Sequence, residues 1–336
     1  MAEKGFILSA EEELKLREPI DEYIGKIQEQ IDALRLDGTD KVRSLKNHIA
    51  VVKESKNLSK EEKTKIIEND KKQNMTYIEP FAGGAGVALD LLLNGTVEQI
   101  VINDYDKAIY SFWRALKESP QDLIDRIQNV PLTIDEWRHQ KEIYNTQNRT
   151  YSIDLGFAAF YLNRTNRSGI LTAGLIVGYD QTGNYFMDAR YNRAMLIQRI
   201  EEIAKYRKQI AIYNKDIRSF IDNIIPRYPT SSFVYFDPPY YVNGQRLYKN
   251  ALSPSDHSKI ASSIINGVEC QWIITYDNVL ELRKIYAEFP QAVYTLSYSA
   301  ANKGKGSELM IFKSAELIPT SKEICTRMPD FQLSKI

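Results

Sequence analysis

Ser232-Phe233-Val234-Tyr235-Phe236-Asp237-Pro238-Pro239-Tyr240-Tyr241 is the stretch on which the reading of this chain turns. Its first half is a short apolar run of β-formers, which predicts a buried strand. Pro238 and Pro239 lack N–H donors and have a fixed φ, so the strand must end in a rigid turn. That turn gathers the Asp237 carboxylate, the Pro238 carbonyl and the Tyr240 ring at a strand end, where open α/β sheets place their chemistry. Two oxygens beside an aromatic face suit a planar heterocycle with an exocyclic amine. Each oxygen accepts an N–H from the amine, and the ring stacks on the base, a contact worth about 1–3 kcal/mol in single-strand binders. Stacking needs the ring and not the hydroxyl, so Phe at position 240 is expected to serve almost as well as Tyr. A Pro-rich loop after a core strand reads the same way in isolation, so the surrounding chain has to decide.

Upstream, Thr76-Tyr77-Ile78 is β-prone and runs into Glu79-Pro80-Phe81-Ala82-Gly83-Gly84-Ala85-Gly86, followed by an apolar helix over 87–93. Strand, glycine turn and helix form a nucleotide-binding beginning: glycines let a ligand approach the backbone, and the helix start offers free N–H groups. The spacing is not that of G-x-G-x-x-G. A second strand over 99–102 ends in Asn103-Asp104, an acid about 20 residues past the glycines, where ribose hydroxyls are held. Capping of the next helix is the competing role for Asp104, and Asp106 is available for it. A third strand over 209–213 leads to Asp216, placed either to meet an adenine amine or to cap the helix that begins at Ile217.

Between these strands lies a different kind of sequence. Residues 123–130, 134–144 and 153–163 read as helices, followed by Asn163-Arg164-Thr165-Asn166-Arg167-Ser168-Gly169 and a segment ending in Arg190-Tyr191-Asn192-Arg193. Arginines outnumber acids over 161–200. Asn163, Arg164, Arg167, Arg190 and Arg193 therefore suit phosphate and base-edge contacts, and Tyr248 and Lys249 belong to a loop able to close on a substrate. The alternative is a helical subdomain whose arginines pair with nearby acids.

Lys plus Arg equals Asp plus Glu at 44 each, so the chain is neutral and cannot be a diffuse polyanion binder. The two cysteines and three histidines show no metal-ligand spacing, so no metal is expected. No signal peptide or bilayer-long apolar run is visible, and with so few thiols a cytoplasmic setting away from membranes is expected. Residues 1–74 are dense in charge and read as a helical extension, with apolar residues at helical spacing over 20–34 and 42–52. Their balanced charge suits a partner or self-association better than nucleic acid. Downstream, Ser255 or Asp256 is expected to cap a helix carrying His257, and 293–298 with 308–312 form a terminal hairpin. This divides the chain into an extension (1–74), a main domain (75–119 and 206–317), an insert (120–205) and a tail (318–336).

The order of EPFAGGAG at 79–86 and DPPY at 237–240, with the Arg-rich insert between them, resembles the Dam-like, alpha-group adenine-N6 DNA methyltransferases. The likeness spans about 75–312, including Phe160-Tyr161-Leu162-Asn163-Arg164-Thr165 and Ser307-Glu308-Leu309-Met310-Ile311. It implies an α/β, Rossmann-like S-adenosylmethionine-dependent fold: a seven-stranded sheet with its last strand antiparallel, carrying an inserted, mainly helical target-recognition subdomain. By that resemblance Glu79, Pro80, Phe81, Ala82, Gly83, Gly84 and Gly86 line the S-adenosylmethionine donor, and Asp104 holds its ribose. Asp216 is placed at the donor's adenine. Asp237, Pro238, Pro239 and Tyr240 hold a target adenine flipped from DNA. One family element is missing: a Gly-Lys pair shortly before the first strand. Residues 56–75 contain no glycine, and Gly25-Lys26 lies far upstream. The resemblance leaves cytosine N4 or an RNA base as neighbouring substrates. It also leaves a catalytically weak DNA-binding member acting with a partner in a restriction or defence system.

Overall fold

The computed structural model describes residues 75–146, 150–182, 186–242, 252–298, 304–318 and 334–335. The extension over 1–74, its Gly25-Lys26 pair, and Tyr248 and Lys249 lie outside these residues.

The strands are β1 (Thr76–Glu79), β2 (Gln99–Asn103), β3 (Ile210–Tyr213), β4 (Phe233–Phe236), β5 (Gln271–Asp277), β6 (Gln291–Tyr298), β7 (Gly304–Phe312) and β8 (Ser334–Lys335). They form one sheet in the order β3-β2-β1-β4-β5-β7-β6-β8. The first five in that order are parallel, whereas β7 runs antiparallel to both β5 and β6. The expected seven strands and antiparallel hairpin are present, and the short β8 adds an outer pairing with β6 from within the tail. The chain winds outward from β1 to β3, then returns to start β4 on the other side of β1, which makes the β1/β4 boundary the topological switch point.

Both faces of the sheet are covered, which is why its strands read as continuous apolar runs. One face buries Tyr77, Ile100, Phe233, Tyr235 and Ile273. It is covered by α1 (Gly86–Leu93), α2 (Lys107–Glu118) and the insert, which comprises α3 (Pro120–Asn129), α4 (Ile134–Thr146), α5 (Ile153–Thr165) and α6 (Arg193–Lys205). The opposite face buries Ile78, Val101, Val234, Phe236 and Ile274 against α7 (Ile217–Asn223), α8 (Pro254–Gly267) and α9 (Leu280–Ile285). The cap of α8 is Ser253, not Ser255 or Asp256. Pro254 takes the first helical position, and Asp256 closes a capping box from the third.

The insert is joined to the sheet domain by close helix packing. A Cβ built at Gly156 of α5 would lie 2.6 Å from the Ser111 carbonyl carbon and oxygen and 2.8 Å from the Phe112 nitrogen of α2. Beside this crossing, Phe112 stacks on Phe160 with ring centroids 5.8 Å apart. The loop after α5 is organised by the buried Asn166, which accepts from Trp137 Nε1 at 2.7 Å and donates to the carbonyls of Ile170 and Leu171 at 2.9 and 3.0 Å.

Gly156→Ala should destabilise the protein by about 1–3 kcal/mol, because backbone atoms cannot step aside as a flexible side chain would. Gly84→Ala, with nothing within 4 Å of the added carbon, should melt near wild type. Thermal denaturation of the two variants checks this; equal melting temperatures would disprove the α2–α5 approach.

Candidate active site

Side chains alternate along a strand, so parity decides which polar groups meet. Glu79 lies two residues beyond Tyr77, Asp237 two beyond Tyr235, Thr275 two beyond Ile273, and Glu308 two before Met310. Tyr77, Tyr235, Ile273 and Met310 all belong to the core on the insert-covered face. The parallel register Tyr77↔Phe233 brings the end of β1 beside β4, and Asp277↔Glu308 pairs the end of β5 with the middle of β7. Four strands thus deliver Glu79, Asp237, Thr275 and Glu308 to one face at the sheet's carboxyl edge.

Within this cluster Thr275 Oγ1 donates to Asp237 Oδ1 at 2.8 Å, and the Tyr235 hydroxyl lies 2.9 Å from Thr275 Oγ1. The Tyr240 hydroxyl donates to Glu308 Oε1 at 3.3 Å. The Tyr240 hydroxyl is thus engaged within the protein, alongside the stacking expected of its ring. Asp277 accepts the Tyr241 N–H at 2.7 Å and the Val242 N–H at 2.9 Å, one on each oxygen, clamping the chain as it leaves Pro238-Pro239.

The carboxylates repel one another. Glu79 is buried and pushed up to about 8, first by desolvation and then by Asp237, with the Ala88 N–H acting in the opposite direction. The residue Asp237 is exposed, although protein groups crowd round its carboxylate. Desolvation first, and the Glu308 charge as well, raise it to about 6 against the Thr275 hydrogen bond. Among the described residues no group of three His, Cys, Asp or Glu side chains is arranged to hold a metal ion.

The glycine loop lies on the β1 side. Gly83 adopts φ +47°, which explains that glycine by backbone alone, and Ala85 sits at φ 48° as the N-cap of α1. Gly84 has no left-handed φ, and a Cβ there, as at Gly86, would meet nothing within 4 Å. Both positions are exposed, so the space beside this backbone is open. The loop is braced from two sides: Trp113 Nε1 donates to the Gly83 carbonyl and Asp104 Oδ2 accepts the Gly83 N–H, both at 2.9 Å. Asp104 Oδ1 accepts from Asp106 N at 2.8 Å, while Asp106 itself caps α2. Burial lifts Asp104 to about 6, and the Asp106 and Gly83 N–H groups oppose that rise. Pro80 and Ala82 are tied to the end of β2, through Asn103 Nδ2 to the Pro80 carbonyl and Ala82 N to the Asn103 carbonyl. Phe81 packs on the opposite core. Of the two roles open to Asp216, the structure shows capping: its Oδ1 accepts the Arg218 and Ser219 N–H groups.

The insert arginines divide. Arg193 donates to the carbonyls of Ile127, Gln128 and Val130, capping the end of α3, and Arg190 donates to those of Asn163 and Asn166 at the end of α5. Both guanidiniums hold the insert together, which corrects the expectation of a surface role for them. Asn163 donates to the Gly169 carbonyl at 3.0 Å. Arg167 is exposed and Arg164 half-buried. Sequence reasoning missed Thr275, Asp277 and Glu308. The available signal was Thr275 and Asp277 at one parity beyond the apolar Ile273 in β5, and Glu308 directly before the apolar run of β7.

A family model described as D12 class N6 adenine-specific DNA methyltransferase matches residues 55–299. The Type II methyltransferase M.MjaIII of Methanocaldococcus jannaschii is 26% identical over 177 residues, covering 49% of this chain and 58% of that protein. The Type II methyltransferase M1.LlaDCHI of Lactococcus lactis subsp. cremoris is 25% identical over 178 residues, covering 49% of this chain and 56% of that one. The chain thus spans a little over half the length of these relatives. Among solved structures, the rRNA methyltransferase aviRa from Streptomyces viridochromogenes aligns over 73% of this chain and 78% of its own. Its 14% identity and TM-score of 0.28 are too low to bear on the fold, which rests on the strand order.

Asp277→Ala should free the chain after Pro239, since two backbone N–H groups lose their acceptor. Hydrogen–deuterium exchange should accelerate in peptides covering 238–242 and stay slow in β4, with a stability loss of about 1–3 kcal/mol. Unchanged exchange at Tyr241 and Val242 would refute the clamp.

Proposed function

We propose, on the premise that the chain belongs to the D12 class N6 adenine-specific DNA methyltransferase family, that it methylates the exocyclic N6 amine of an adenine in DNA with S-adenosylmethionine as donor. The observation that carries this reading is the single face at the β1/β4 switch point. There a fixed carboxylate and a Pro238 carbonyl adjoin a glycine loop with open space beside its backbone.

S-adenosylmethionine, when bound, supplies a methyl carbon made electrophilic by a positively charged sulfur. The backbone of Glu79 to Gly86 would line it, with Asp104 at its ribose. Asp104 uses one lone pair of each oxygen on protein N–H groups, which leaves acceptor capacity for hydroxyls. Glu79, raised by burial and then by the Asp237 charge, would be relieved by the donor's positive charge. Asp237 and the Pro238 carbonyl would each accept one amine hydrogen. This draws the nitrogen lone pair out of ring conjugation and aims it, so rate comes from orientation and electrostatics. Tyr240, its hydroxyl tied to Glu308, presents its ring to the face of the base. The base reaches this cleft by leaving the duplex, at a cost of a few kcal/mol in unstacking. DNA contacts are assigned to Asn163, Arg164 and Arg167, and to Tyr248 and Lys249 in the loop after the motif. Arg190 and Arg193 serve by holding the insert in shape. Partner contacts are assigned to residues 1–74, in a restriction-modification setting.

Asp237→Ala should abolish methylation of duplex DNA, followed as methyl incorporation and identified as N6-methyladenine by mass spectrometry. Donor affinity should stay within a few fold of wild type, because the carboxylate acts on the amine. A variant that keeps a tenth of wild-type turnover would refute the role of Asp237, and a methylated cytosine would refute the substrate.

Donor binding should also release protons. At pH 6 to 8 Glu79 is largely protonated, and a nearby positive charge favours its ionised form, so affinity should rise with pH across that window. Calorimetry in two buffers of different ionisation enthalpy measures the release; equal apparent enthalpies would place the cation elsewhere.

A further inference from the structure

We propose that Tyr235 and Thr275 are positioning residues, a relay of two buried hydroxyls that aims the Asp237 carboxylate and keeps it in the form that accepts from a substrate amine. The amine rests on the function proposed above; the relay itself rests on geometry.

The direction of the relay follows from proton counting. An ionised carboxylate only accepts, and threonine has a single hydroxyl proton. Thr275 directs that proton to Asp237 Oδ1 at 2.8 Å, so the Tyr235 hydroxyl 2.9 Å away must donate to Thr275. Donation into Thr275 polarises its O–H and strengthens the bond to Asp237. Tyr235 is 6% exposed and Thr275 3%, so water does not compete for either group. The neighbours of Tyr235 in β4 show why a hydroxyl is there. Phe233 and Phe236 fill their sites completely as plain rings, whereas Tyr235, in the same core as Phe233, carries a polar atom that ends on Thr275. With one lone pair of Oδ1 taken by Thr275, Oδ2 keeps its full acceptor capacity for an incoming N–H.

The relay opposes everything else acting on Asp237. Burial disfavours its charge first, and the Glu308 carboxylate from β7 acts in the same sense; Glu79 from β1 and Tyr276 on β5 also lie near it, and its charge disfavours their ionisation in turn. The hydrogen bond from Thr275 is what favours the charge. Its loss therefore raises the pH at which Asp237 ionises, and the acid limb of any step that needs the carboxylate moves upward with it.

The test uses the full chain labelled with ¹³C at the aspartate carboxyl, with the Asp237 resonance identified by its absence from Asp237→Asn. Titration is followed by NMR, and single-turnover methyl transfer to a DNA duplex is measured over the same pH range. Thr275→Val should raise the Asp237 midpoint by about one pH unit, the size expected for one hydrogen bond to a charged group. Tyr235→Phe should raise it by less, and Thr275→Ser should leave it at the wild-type value. The acid limb of the transfer rate should move with the midpoint, while donor affinity measured above pH 7 stays unchanged. An unmoved midpoint in Thr275→Val, or a rate reduced equally at every pH, would overturn the relay. If Thr275→Val folds poorly, Tyr235→Phe, which keeps the buried ring, decides the question by its own midpoint: a rise supports the relay and no change overturns it. If the midpoints move as expected but wild-type protein methylates no DNA, the relay stands and the proposed substrate falls.

Discussion

The structure depends on one pairing, the parallel register of β1 with β4 across the switch point. Two motifs more than 150 residues apart in the chain end there side by side, one a glycine loop and the other a proline turn. Neither is a site alone. In the function proposed above, the glycine loop would take the donor and the proline turn the amine, so each needs the other. A one-residue slip would turn Glu79 away from Asp237 and dissolve the cluster. The apolar side chains on both faces of β1 and β4 prevent that slip, because either face would lose its core.

Around that pairing the protein places acid beside acid and stabilises the arrangement with fixed donors. Thr275 serves Asp237, Ala88 N–H serves Glu79, and the Gly83 and Asp106 N–H groups serve Asp104. Each bond fixes geometry as well as charge. Asp277 and Glu308 extend the same logic to the backbone after Pro239 and to the ring of Tyr240. The edges of β5 and β7 thus form the wall against which the β4 turn is set.

The insert uses charge differently. Its arginines look from the sequence like a surface for a polyanion, yet Arg190 and Arg193 turn inward onto the carbonyls that α5 and α3 leave unsatisfied at their ends. Guanidinium geometry suits that task as well as it suits phosphate, so residue type cannot distinguish the two. Asn166, read as part of a polar run, is instead the buried hub joining Trp137 to the loop.

Strand by strand, the sequence alone determined the elements, because the apolar runs of β1 to β4 and the punctuation of Pro238, Pro239 and the glycines are local facts. It also determined the two motifs and the acids at the strand ends. Tertiary structure decided what meets what. Which acid caps a helix was settled for Asp106 and Asp216 by the positions of N–H groups one turn further on. The partnership of Thr275 with Asp237 needed the β4–β5 register, and that of Tyr240 with Glu308 needed a strand that arrives 68 residues later and runs the other way. Spacing along a chain fixes neighbours within one strand or helix. Contacts between strands depend on register, and register is chosen by the packing of the whole core.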